Sequence, residues 1–160
     1  MTATYEKIAT NTLGSTTTTV TFSSIVGTYT DLVLIIAGTS IGADYSINLR
    51  FNSDTGSNYS STFLQGNGTA ASSNRDTSQT SANAGSITTI QSNSIISIPN
   101  YSNTTTYKTV LGRGNASGAR TRFYAGLWRD TSAITSIAVN TNGSDFASGC
   151  VFTLYGIKAE

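Results

Sequence analysis

Apolar and polar positions alternate along this chain in short stretches, and apolar residues never recur at helical spacing over a useful window. Val20 and Phe22 point one way while Thr19, Thr21 and Ser23 point the other, the period of a strand wetted on one side. Residues 31–38, DLVLIIAG, form an unbroken apolar run short enough for a central strand buried on both faces. Ile47, Leu49 and Phe51 alternate with Asn48 and Arg50; the NSDTGSN that follows is dense in turn-tolerant residues, and strand character resumes over residues 59–65. That succession predicts a hairpin. Further strands are expected over residues 88–90, 94–98, 107–113, 122–128, 134–139 and 151–158, about eight to ten in all. Residues 131–133 can form a short helical turn but the pattern does not require one.

One stretch breaks the rhythm. Residues 66–85 contain no large apolar side chain before Gly85 and no periodicity, which predicts a long polar loop, either an arm that grips a neighbour or a flexible surface excursion.

Composition reinforces the strand reading. The 160 residues suit one domain able to bury roughly 70% of its unfolded surface. Only 11% are charged against 38% hydrophobic, where about 25% charged is usual. Ser, Thr, Asn and Gly supply the polarity instead, and Thr suits a half-buried pleat. The fold class expected is all-β, a single-domain antiparallel β-sandwich of jelly-roll type, because doubling the sheet protects its edges. A net charge of +1 gives no field to steer nucleic acid or an anionic membrane, so neither is expected as a partner. Cys150, the only cysteine, heads an apolar run and is expected to be a buried thiol. The first residues lack the pattern of a secretory signal, and no apolar segment is long enough to span a bilayer, so the expected compartment is a cytoplasm. The N-x-S/T triplets at Asn58, Asn67, Asn103, Asn115 and Asn142 are what chance gives in so Asn- and Thr-rich a chain.

Candidate chemistry is sparse. With no histidine, imidazole cannot act as base, proton shuttle or metal ligand. The acids Glu6, Asp31, Asp44, Asp54, Asp76, Asp130, Asp145 and Glu160 lie mostly in turn-like or terminal contexts, and only a pair meeting in a cleft could run a glycosidase reaction. Residues 52–58 superficially suggest an oxygen-rich calcium loop, yet they lack its repeated acids and closing Glu, and read as a turn. LGRGNASGAR places Gly112, Gly114 and Gly118 after a strand, but no helix follows to bind phosphate. No cofactor, metal or catalytic residue is expected. Arg113, Arg120, Arg122 and Arg129 crowd one span with Phe123, Tyr124 and Trp128 interleaved. Such interleaving serves single-stranded nucleic acid in some proteins; in a near-neutral chain it reads as a strand with a charged face toward solvent or another subunit. The candidate contact surface is therefore Arg113, Arg120, Arg122, Trp128 and Arg129, with Trp128 either core or interface.

Three separated phrases add a resemblance. ATYEKIATNTLGSTTTTVTFSSIVGTYTDLVLII (residues 3–36), LRFNSDTGSNYSSTFLQGNG (49–68), and AGLWRDTSAITSIAV (125–139) with FTLYGIK (152–158) are similar to small jelly-roll virion proteins of tailed phages, particularly those of cyanobacteria. The resemblance covers nearly the whole chain and is weakest over residues 70–100. It implies a β-sandwich in the virion, assembled in the host cytoplasm and often trimeric, without a catalytic motif. One compact domain suits a capsid decoration or cement protein, which docks on the major capsid protein lattice and stabilises the assembled shell. The alternative is a tail or fibre component reading host glycans, with Trp128 and exposed tyrosines as stacking platforms. An enzyme is the third reading, in the form of a carboxylate-based polysaccharide hydrolase.

Overall fold

The computed structural model describes residues 4–116 and 120–158; Gly118 and Glu160 lie outside them. Twelve strands form two stacked antiparallel sheets, and no helix occurs among the described residues. The large sheet runs β1 (Tyr5–Thr12), β12 (Val151–Ile157), β3 (Asp31–Gly38), β8 (Ser92–Pro99), β9 (Lys108–Ala116), β10 (Arg120–Trp128), β5 (Tyr59–Gly66) and β6 (Ala71–Gln79). The small sheet runs β2 (Thr19–Phe22), β11 (Ile137–Thr141), β4 (Tyr45–Phe51) and β7 (Ala82–Ile87). The β-sandwich is thus of the expected class, with its core between the two sheets.

Alternation decides what enters that core. Leu32, Leu34 and Ile36 of β3 and Phe152 and Leu154 of β12 face Val20, Phe22, Leu49, Phe51 and Val139 of the small sheet, all buried in one cluster. On the other side of β3 Val33 is buried but Ile35 and Ala37 are only half-buried, so the expected burial on both faces holds for one face and only in part for the other. Cys150 is buried, its Sγ 3.2 Å from the Thr39 carbonyl. Lys108 is buried too; its Nζ donates to the carbonyls of Thr106 and Thr131 at 2.8 and 3.0 Å.

At β7 the sandwich thins. Ala82, Ala84 and Ser86 lie against Gly126, Gly112 and Gly114 of β10 and β9, close enough that a Cβ on Gly112 would sit 1.8 Å from the Ala84 carbonyl oxygen. Backbone meets backbone there, so small residues are a packing requirement.

Several expectations need correction. The predicted hairpin over residues 47–65 does not form: β4 belongs to the small sheet and β5 to the large one, and the turn between them carries the chain from one layer to the other. Asn52 and Ser53 take left-handed conformations at that corner. The Asn52 side chain accepts from the amides of Thr135 and Ser136 and donates to the Ala133 carbonyl, tying the corner to the β10–β11 connection. Residues 66–85 are not a long polar loop. They hold the turn at 67–70, the edge strand β6, and most of β7. Residues 88–90 are a turn closed by the Thr88 hydroxyl, residues 131–133 are not helical, and β1 is a strand that the pattern did not suggest.

Candidate functional site

One face of the large sheet is covered by the small sheet; the other is open. Along it, register places Val33 beside Ser97, Ser97 beside Leu111, Leu111 beside Ala125 and Ala125 beside Thr62. The adjacent row reads Ile35, Ile95, Arg113, Phe123, Leu64. Five strands at the usual spacing make these rows about 20 Å wide. Tyr5 closes one side, edge-on to Tyr155 with ring centroids 6.2 Å apart.

The rows form a shallow groove of about 550 Å³, lined by Tyr5, Val33, Leu64, Ile95, Leu111 and Phe123 among others. Tyr5, Leu64, Leu111 and Phe123 are 58%, 59%, 58% and 58% exposed. Scattered exposed apolar residues are ordinary, and it is the contiguity of these that makes the open face the candidate contact surface. Arg113 stands in the middle of it, exposed, with no ion pair or side-chain hydrogen bond among the described residues.

The residues picked out from sequence do not share a surface. Arg113 alone lies on this open face. Arg120 pairs with Asp44. Arg122 has the strand parity of Tyr124 and Trp128, so it lies on the inner side beyond the cover of the small sheet, over the Phe63 ring at 5.1 Å, with Nε donating to Gln65 at 2.7 Å. The expected pattern on β10 is therefore inverted: Phe123 faces solvent and Arg122 is half-buried. Arg129 Nη2 reaches Ser60 Oγ at 3.0 Å.

Trp128 is 1% exposed, and its Nε1 donates to Asp54 Oδ2 at 2.7 Å. Its ring stacks on Tyr59 at 6.1 Å and tilts against Phe51 at 5.5 Å. It is a core residue, unavailable as a contact or as a platform for a sugar.

The missed residues carried a signal. In residues 110–111 and 123–128 both parities are apolar, the mark of strands with something to bury on each face. Only one face is covered.

Asp54 and Asp130 are near enough to influence one another, yet neither suits a general acid. Hydrogen bonds from the Asn58 amide and then the Trp128 indole hold Asp54 below its ordinary range; the Ser132 backbone amide does most to hold Asp130 down. A glycosidase acid needs a raised value instead. No cluster of three or more acidic or Cys residues able to hold a metal occurs among the described residues, and no helix there is long and apolar enough to cross a membrane.

No protein-family model matches the chain, and no curated protein matches it in sequence. Among solved structures it is similar to an exo-inulinase from Aspergillus awamori, at 12% identity and a TM-score of 0.47, over 96% of this chain and 29% of that one. It is also similar to the alginate lyase Aly36B in complex with an alginate tetrasaccharide, at 10% identity and a TM-score of 0.42, over 94% of this chain and 80% of that one. The chain spans less than a third of the exo-inulinase. At these identities and TM-scores the likeness carries no activity across.

Proposed function

We propose that this protein is a non-enzymatic virion structural protein, a capsid decoration protein that docks on a protein lattice through the open face of its large sheet. The observation that carries the docking role is the apolar surface around Leu111 and Phe123, held on a rigid eight-stranded sheet. The phage setting rests on the three phrases quoted above. A pre-formed face binds without paying to order a loop, so modest contacts repeated over many copies suffice. Self-association, expected as a trimer, has two long strand edges to use, β1 and β6. Reading host glycans from a tail is the weaker alternative, because its intended platform Trp128 is buried.

The test is immunogold labelling of phage particles together with co-sedimentation of purified protein on undecorated capsids. Label over the head, and retention on capsids that drops sharply for Leu111→Ser with Phe123→Ser, are the expected results. Label confined to tails, or capsid retention indifferent to both substitutions, would sink the reading.

A further inference from the structure

The charges around the open face are of nearly one sign. Arg113 sits within the groove, exposed. Lys7 and Arg75 lie at the two ends of the row through Val33 and Leu111, since Lys7 is beside Tyr155, Tyr155 beside Val33, Ala125 beside Thr62 and Thr62 beside Arg75. All three are without an ion pair among the described residues, where the two pairs present are Arg120 with Asp44 and Lys158 with Glu6. The acid of this face, Asp31, lies toward one end beside Ile157 and Pro99 and already accepts from the Asn100 amide at 2.7 Å.

Two copies packed by this face would bring three cations and one acid against the same set, leaving cations in excess on both sides. Like charges juxtaposed across an interface cost enough to select against that arrangement. A guanidinium amid Leu111, Phe123 and Ile95 instead offers a planar fork for a carboxylate, in a setting where apolar partners exclude water and strengthen the pair.

We infer that the occupant of this groove is an acidic amphipathic segment of another protein, its apolar side on Leu111, Phe123 and Leu64 and a carboxylate on Arg113. This rests on the docking role proposed above and adds the chemistry of the partner. The groove crosses the strands rather than adding to an edge, so the fit is that of an amphipathic helix laid in a groove, with charge fixing its register.

Fluorescence anisotropy on the full chain would test this with two labelled synthetic amphipathic helical peptides that share every apolar position and differ in carrying glutamates or lysines beside them. The glutamate peptide should bind about tenfold tighter, the order one charge-assisted hydrogen bond supplies. Added salt should shrink that preference. Arg113→Glu should reverse it, and Leu111→Ser should weaken both peptides alike. Equal affinity for the two peptides, no binding of either, or a preference untouched by Arg113→Glu would overturn the inference. So would a dimer in sedimentation equilibrium that disappears with Phe123→Ser, since a second copy would then cover the face. Capsid co-sedimentation separates the two levels. If Leu111→Ser and Phe123→Ser abolish retention while Arg113→Glu does not, the acidic partner is wrong and the docking face stands; if all three are retained, the docking face itself is wrong.

Discussion

Replacing Gly112 by alanine probes the thin part of the sandwich most directly. A Cβ there would lie 1.8 Å from the Ala84 carbonyl oxygen and 2.8 Å from its carbon, both backbone atoms that no side-chain rotation can clear. To restore contact, β7 and β9 must part by more than an ångström. Moving β7 away would also open its contacts at Gly114 and Gly126, through Ser86 and Ala82. Its other side is paired to β4. Overpacking a core typically costs about 1–3 kcal/mol, and a backbone clash belongs at or above the upper end, about 3 kcal/mol. For a domain of this size that lowers Tm by roughly 6–12 °C. Gly126 is the graded control: its Cβ would meet side-chain carbons of Ala82 and Val110 at 3.2 and 3.3 Å, so Gly126→Ala should cost only about 1 kcal/mol. Gly66 has nothing within 4 Å, and Gly66→Ala should be neutral or stabilising by about 0.4–1 kcal/mol through the unfolded chain. Guanidinium chloride melts at constant m-value rank the three. If Gly112→Ala unfolds at the same midpoint as Gly126→Ala, the sheets are not in backbone contact at β7 and the account of the seam is wrong.

Three further outcomes follow from the buried polar groups. Asp54→Ala should cost about 1–3 kcal/mol at neutral pH by leaving the Trp128 indole N–H unpaired. Because the folded carboxyl titrates below its usual 3.8, the part of its contribution that depends on ionisation is complete above that value and fades as pH falls below it, so the gap between wild type and variant should narrow in acid urea melts. Burial pushes the Tyr59 hydroxyl up from 10.0 to about 12, so its contribution is complete below pH 10 and is lost between pH 10 and 12, at up to about 1.4 kcal/mol per pH unit. Tyr59→Phe should remove that slope while costing about 1–3 kcal/mol at neutral pH, since the Phe51 amide loses its acceptor at 3.0 Å; an unchanged alkaline slope would refute it. Cys150 should react with a thiol reagent only at the rate at which the protein opens, and labelling as fast as a free thiol would contradict its burial.

Much of the sandwich was legible because its central strands announce their burial. The run LVLII became β3, and the alternations at Val20 and Leu49 became β2 and β4. β6 was illegible for the converse reason: eight of its nine residues are exposed, so hydrophobic periodicity had nothing to report, and what holds it is backbone pairing to β5. β7 escaped notice because a strand in a seam with no room for side chains is written in Ala, Gly and Ser, the letters of a loop. The supposed hairpin failed because turn residues show that a chain reverses, not whether the strands on either side will pair. At the site, Arg113 was legible as a contact candidate. For the rest of the face the sequence showed only that residues 110–111 and 123–128 are apolar on both parities, not which parity the second sheet will cover, and that choice depends on strands far away in sequence.

The pairing of β1 with β12 sets the order in which this molecule can be completed. Tyr5 is beside Ile157, and β12 lies between β1 and β3, so the last strand made fills a vacancy between two of the first. During synthesis, β1 and β3 must wait with open edges until residue 157 has left the ribosome, and closing so long a loop is slow, on the order of milliseconds to seconds for sheet topologies of this kind. A chain released early, or a mutation that delays β12, would leave the apolar edge of β3 open to neighbouring chains, making misassembly rather than simple unfolding the characteristic failure of this fold.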